Sequence, residues 1–270
     1  MQKKKISKQV DDLYNKVISE KLIGHTCQFF KENPVELKPL GSGVFAIIND
    51  VYFIFTASHV ANVLADKNND LFIKVGYDKY VNVVGRVKFT DLNKSRGLDL
   101  AYIKLDNQII NDLTEHYSFL TVDKIRKHNK LLVGAANYCV IGFPETDILN
   151  ENGDLNTFAQ VYFTFPTNDN PYKYYKLSKE DWIILQMTGK SQDIITKAKL
   201  PMDVSFYGLS GCGLWLLMPD LDRNSCDYRL IGIMTSYRKG KYFCLIGNKI
   251  HHLIEALNKF ENMKFKENKI

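Results

Sequence analysis

The sequence predicts an all-β fold of two packed β-barrels, framed by a helix at each end. Short apolar runs rich in β-branched and aromatic residues recur along the chain between turn residues, the pattern of a barrel or sandwich. These runs fall into two sets, parted by a mixed polar stretch over residues 107–129. Helical periodicity is confined to the two ends.

Over residues 9–31, Val10, Leu13, Tyr14, Val17, Ile18, Leu22 and Ile23 share one face at helical spacing. Asn33-Pro34 and Pro39-Leu40-Gly41 then break the pattern. Gly43 to Ile48 and Val51 to Thr56 read as strands joined by a turn at Asn49-Asp50. Residues 71–75, 80–89 and 98–105 complete the first set, and 107–129 reads as a linker with some helix. The second set covers residues 138–141, 158–165, 182–187, 213–217, 230–235 and 242–246, with long surface loops expected over 145–156 and 167–175. Ile250, Leu253, Ile254, Leu257 and Phe260 form the apolar stripe of a closing amphipathic helix. The organisation expected is a basic tail and helix over 1–39, a first barrel over 40–120, a second over 121–248, and a helix and tail over 249–270.

Composition narrows the class. A 270-residue chain with 45% hydrophobic and 24% charged residues can build a core without disulfides or metals. The net charge of +6 is concentrated in Lys3, Lys4, Lys5 and Lys8, and the rest of the chain is close to balance. Such a tail reads as a solvated terminus, and no aromatic–basic motif points to nucleic acid. Five scattered cysteines without a CxxC pair exclude metal-ligand spacing and suit reduced thiols. No apolar run reaches the ~18 residues that span a bilayer, and the basic start is not followed by an apolar stretch. A soluble cytoplasmic protein with no membrane partner is expected.

Three segments carry chemistry. Gly208-Leu209-Ser210-Gly211 places a serine among glycines just before the apolar run Leu214 to Leu217. Glycines allow sharp turns and unobstructed N–H groups, which a nucleophile and its oxyanion site need. A tight turn entering a strand is the ordinary alternative. His59 follows the apolar strand Ile54-Phe55-Thr56 and the small pair Ala57-Ser58; it is a general base or a hydrogen-bonded strand-end histidine. Asp99 interrupts the apolar run Leu98 to Leu105, where burial demands a partner, unless it only caps the turn after Gly97.

The order His, Asp, Ser is that of the chymotrypsin triad. Together with Gly41-Ser42-Gly43, Thr56-Ala57-Ser58-His59, Asp99-Leu100-Ala101 and Gly208-Leu209-Ser210-Gly211, it resembles trypsin-like serine peptidases over residues 40–260. The resemblance implies two six-stranded antiparallel barrels of chymotrypsin type. It also implies Ser210 as nucleophile, His59 as general base, Asp99 as its orienting carboxylate and the N–H groups of Gly208 and Ser210 as the oxyanion hole. Val204, Ser205, Met234, Thr235, Ser236 and Tyr237 would line the substrate pocket. No cofactor or metal is required, and the substrate is a protein or peptide. Similarity to intracellular bacterial relatives implies a partner in a defence or stress system.

The pattern departs from the family in places. Leu209 stands where secreted enzymes carry an aspartate that pairs with a new N-terminus, so that activation is not expected. Cys212 replaces a glycine; as Ser210 lies two residues earlier, the register favours serine over a cysteine nucleophile. Val204 at the pocket floor gives no basis for Lys or Arg preference, although Asp203 is adjacent. Two other readings compete: a catalytically inactive protease fold acting as a binding module, and an α/β-hydrolase pairing Ser210 with Asp222 or Asp227 and His251 or His252.

Overall fold

A computed structural model of the chain describes residues 2–32, 37–66, 69–76, 79–90, 97–125, 137–145, 148–151, 154–187, 191–192, 199–200, 206–263 and 265. The first half contains α1 (Gln2–Val17), β1 (Thr26–Glu32), β2 (Leu37–Ile48), β3 (Val51–Thr56), α2 (Ser58–Ala61), β4 (Leu71–Val75), β5 (Lys79–Asn82), β6 (Gly85–Phe89), β7 (Ala101–Leu105), α3 (Ile110–Thr114) and β8 (Leu120–Thr121). The second contains β9 (Asn137–Gly142), β10 (Ile148–Glu151), β11 (Asp154–Thr157), β12 (Gln160–Pro166), α4 (Asp169–Tyr175), β13 (Trp182–Met187), β14 (Ser191–Gln192), β15 (Lys199–Leu200), β16 (Gly213–Asp220), β17 (Ser225–Lys239), β18 (Phe243–Lys249) and α5 (His251–Glu261).

The predicted all-β class holds, and its two halves differ in closure. In the second half the ring β13-β18-β17-β16-β9-β12 returns to β13, a closed antiparallel barrel of six strands. The first sheet runs β5-β4-β1-β2-β3-β7-β6, with β8 added parallel to β2, and no described ladder joins β5 to β6. It is a half-barrel, not the closed barrel expected. Only Val87 of β6 is even half-buried, so little apolar surface drives that edge across the gap.

Alternation sorts the core. Ile54 and Ile103 point into the first sheet with Phe29 and Phe45, whereas Phe53, Phe55 and Tyr102 point the other way, toward Trp215, Leu230 and Ile233. This layer between the halves also takes Tyr14, Val17 and Leu22 near α1 and Leu253, Ile254 and Leu257 of α5. A third cluster fills the closed barrel around Leu185, Leu214, Met234 and Leu245.

Several local expectations are corrected. The helical pattern of 9–31 stops early: the chain passes through single wide and tight turns over 18–25 and then forms β1. Cys27, Phe29 and Phe30 are fully buried in β1 between β2 and β4, and that two-sided packing overrides the local period. The run 98–105 becomes a strand only from Ala101. The predicted loops at 145–156 and 167–175 hold the β10–β11 hairpin and α4, the latter capped by Asn168 accepting from the Asn170 N–H at 3.0 Å.

One buried and one half-buried imidazole set an acid limit on the fold. Nδ1–H of His25 donates to the Ser118 carbonyl at 2.7 Å, and the Tyr228 hydroxyl donates to Nε2 at 3.1 Å. Burial lowers the His25 pKa, and Lys21 adds to the effect. Burial, then His252 and Lys249, push His251 down to about 4. Between about pH 6.5 and 4 the unfolded chain therefore binds more protons than the folded one, and stability falls on acidification. Allowing for solvent screening, His251 contributes ~1–2 kcal/mol. The melting midpoint is expected to drop by about 5 °C between pH 7 and 4.5; an unchanged midpoint in scanning calorimetry would exclude burial of both rings as neutral groups.

Candidate active site

β3 ends at Thr56, and Ala57 stays extended before the chain enters α2. The N–H groups of Val60 and Ala61 donate back to the Ala57 carbonyl, and the Ser58 hydroxyl donates to the Thr90 carbonyl at 2.8 Å. Val60 and Ala61 face the core, which turns His59 outward with 43% of its side chain exposed. Asp99 is fixed from behind. The Thr90 hydroxyl donates to the Leu98 carbonyl at 2.6 Å and accepts from the Leu100 N–H at 3.0 Å, bracketing Asp99. The Asp99 N–H donates to Oδ1 of Asn248, a fully buried residue of β18, at 2.8 Å.

From that position the Asp99 carboxylate takes two bonds from one residue. Oδ1 accepts the His59 backbone N–H at 3.0 Å, and Oδ2 lies 2.6 Å from His59 Nδ1. An ionised carboxylate only accepts, so the proton of a neutral imidazole sits on Nδ1 and Nε2 keeps its lone pair. The structure thus pairs two of the three residues singled out in the sequence.

The Ser210 loop is two turns in succession. The Leu209 N–H donates to Phe206 O with Gly208 third in the turn, and the Cys212 N–H donates to Leu209 O with Gly211 third. Gly208 has φ +90° and Gly211 has φ +91°, the left-handed backbone such third positions need. Leu209 is fully buried, with its side chain against Gly142 and in the core of the closed barrel. An apolar anchor therefore holds the loop at the position where a charge pair was not expected.

Both sheets grip this loop. The Ser42 N–H donates to Ser210 O, and the Ser42 hydroxyl to Gly208 O, each at 2.8 Å. On the other side the Gly211 N–H donates to Met234 O at 2.7 Å, and Ser210 Oγ makes a long bond to Thr235 O at 3.5 Å. The Glu145 N–H donates to Tyr207 O at 2.8 Å. In a planar trans peptide the N–H of Gly208 must then point the opposite way. Among the described residues, neither the Gly208 nor the Ser210 N–H donates to a backbone carbonyl. Donors left free of backbone carbonyls in this way are what an oxyanion hole requires.

Gly211 also ties the loop to the histidine segment. A Cβ there would lie 2.1 Å from Ser42 O, 2.2 Å from Thr56 Oγ1 and 3.2 Å from Ala57 N. Gly211→Ala adds both that clash and a strained positive φ, so a loss of about 3 kcal/mol or more is expected. A denaturant midpoint equal to that of the unaltered protein would show that this approach is not close in solution.

The residues expected to form a substrate wall lie in different settings. Met234 is fully buried in the barrel core, so its backbone alone faces the Ser210 loop. Thr235 sits at a register shift between β17 and β18, with its hydroxyl turned to Ile246 O at 3.3 Å. Ser236 is half-buried, and the Tyr237 ring is tilted against Phe206 and edge-on to Tyr207. Val204 and Ser205 lie outside the described residues. Cys212 is fully buried and burial raises its thiol pKa, which suits packing and not nucleophilic attack.

No protein-family model matches the chain, and no curated protein matches it in sequence. Solved structures do. One described as the atomic resolution structure of HBP is 12% identical, covers 91% of this chain and 95% of its own, and superposes with a TM-score of 0.53. A mutant of human heparin binding protein (CAP37) gives 12% identity, 90% and 94% coverage and a TM-score of 0.54. The fold is chymotrypsin-like. A chymotrypsin-like fold removes the α/β-hydrolase reading with His251 or His252, because strands and helices do not alternate. Within this fold, sequence reasoning missed Asn248, Thr90 and Glu145 as supports of the site. Asn248 was the most detectable, as a polar residue inside the apolar run of β18.

Proposed function

We propose that the chain is a serine endopeptidase. The observation that carries this reading is the two-point hold of Asp99 on His59, which fixes the tautomer whose Nε2 can accept a proton. Ser210 Oγ attacks the carbonyl of the scissile bond while His59 Nε2 takes its proton. The oxyanion is met by the N–H groups of Gly208 and Ser210. His59 then returns the proton to the leaving amine, and the acyl-enzyme is hydrolysed by water activated in the same way. Asp99 orients the ring and offsets the positive charge that forms on it. The five cysteines are all unpaired, which supports a reducing, cytoplasmic setting.

A second reading has a specific observation behind it. Ser210 Oγ is directed to the Thr235 carbonyl, and the fold neighbours are named for heparin binding; a protease fold kept as a binding module would tolerate both. Labelling with a fluorophosphonate separates the two readings. The peptidase reading expects stoichiometric labelling at Ser210, and no labelling with peptide substrates left intact would favour the module.

A further inference from the structure

β17 outruns one of its neighbours. Its ladder to β16 ends at Ile233, opposite Gly213, whereas its ladder to β18 continues through Ser236 to Lys239. Along residues 236–239 no described strand pairs with the other edge. In an antiparallel sheet alternate residues turn their N–H and C=O groups to such an edge, where an extended chain can bond to them. The edge begins at the candidate active site. The Met234 carbonyl accepts from the Gly211 N–H at 2.7 Å, and the Thr235 carbonyl lies 3.5 Å from Ser210 Oγ.

The far end of this edge is basic. Arg238, Lys239 and Lys241 are exposed, and among the described residues none of them is paired with a carboxylate. Arg238 Nη1 donates to the adjacent Tyr237 carbonyl at 3.0 Å, which uses one of the guanidinium's several donors. Lys239 Nζ lies over the Tyr237 ring at 6.0 Å, and Lys241 Nζ lies over Tyr174 at 5.8 Å and over Tyr242 at 5.6 Å. α4 props the hairpin from outside, because the Tyr175 hydroxyl donates to the Tyr242 carbonyl at 2.9 Å. A chain otherwise close to charge balance thus places a local positive field beside an open strand edge.

Strand geometry sets which substrate residues meet that charge. A chain added antiparallel to β17 advances one residue for each residue of the strand, and directly opposed side chains project to the same face about 5 Å apart. With the residue before the cut beside Thr235, the third residue before the cut lies opposite Tyr237, the fourth opposite Arg238 and the fifth opposite Lys239. A carboxylate at either of the last two meets a cation that has no acidic partner of its own among the described residues. An acidic peptide suits this surface better than a nucleic acid. The lysine ammonium groups lie over the tyrosine faces on which bases would stack, and an open sheet edge bonds a peptide backbone.

We propose that the β17–β18 hairpin selects peptides with acidic residues at the fourth and fifth positions before the cut, through Arg238 and Lys239 with Lys241 behind them; the assignment rests on the peptidase reading above. The test uses peptides that share the residues around the cut and carry Glu, Gln or Lys at successive positions on either side of it. At the fourth or fifth position before the cut, kcat/KM for Glu is expected to exceed that for the isosteric Gln by about threefold, and by about tenfold with both replaced. The difference shrinks as salt rises, since the groups are exposed. In a double variant, Arg238→Glu with Lys239→Glu, the preference turns to the Lys peptide; both side chains are exposed, and a thermal melt checks the fold. Equal rates for Glu and Gln before the cut, a Glu preference found only after it, or one kept by the double variant would overturn the proposal. Binding of the same peptides to Ser210→Ala, followed by fluorescence anisotropy, reads the edge without turnover. Tighter binding of the Glu than the Gln peptide, with no hydrolysis by the unaltered protein, would keep the acidic-peptide edge and remove the peptidase reading. Hydrolysis without any Glu preference would do the reverse. A uridine hexanucleotide that binds Ser210→Ala more tightly than the Glu peptide does, and loses that binding when the two charges are reversed, would reassign the surface to nucleic acid and overturn the proposal.

Discussion

Ser210→Ala is expected to abolish peptide hydrolysis while the protein folds as before. Triad members act as a unit, and loss of the nucleophile removes the covalent route altogether, for a fall in kcat of about 10⁴- to 10⁶-fold. The same change is mild for the fold. Ser210 is half-buried, and among the described residues its Oγ makes only the long bond to Thr235 O, so less than about 1 kcal/mol of stability is at stake. The backbone bonds that hold the loop, from Ser42 to Ser210 O and from Gly211 to Met234 O, do not involve the side chain. The measurement is single-turnover hydrolysis beside a thermal melt. A variant that keeps its melting midpoint and also its rate would show that Ser210 is not the nucleophile.

Asp99→Asn is expected to lower kcat by about 10⁴-fold through the tautomer of His59. Asp99 Oδ2 lies 2.6 Å from His59 Nδ1 and accepts its proton. In the amide, the oxygen can stay with the His59 backbone N–H, which donates to Oδ1 at 3.0 Å. The amide nitrogen then faces Nδ1 and forces the proton to Nε2, which can no longer take the hydroxyl proton of Ser210. KM should change little, since no substrate contact is lost. An unchanged kcat would remove Asp99 from the mechanism. The outcome also tests the support behind it, because the bracket of Thr90 and the bond from Asn248 hold the backbone of residue 99 whether it is acid or amide.

Leu209 gives the site a character of its own. Its side chain is buried in the closed barrel, so the two glycine turns rest on apolar packing. The Glu145 N–H holds the Tyr207 carbonyl, so that the Gly208 N–H of the same peptide points the other way. In this arrangement the loop is formed as part of the fold.

How much was legible in the residues follows from the range over which each signal acts. The short apolar runs of β2, β3 and β16, the helical stripe of α5 and the glycines around Ser210 are local patterns, and each predicted its element. The chain order of His59, Asp99 and Ser210, with the small residues around them, was enough to nominate a site. Other features depended on distant partners. β1 reads as helix until β2 and β4 pair with both of its edges. Met234 reads as pocket wall until the register of β17 turns it inward. Asn248 is a single polar residue in an apolar run, and nothing nearby in sequence says that it supports Asp99. Side-chain periodicity is set over a few residues, so it survives in the sequence. Hydrogen-bond partners and ladder registers join residues a hundred or more apart, and only the folded chain decides them.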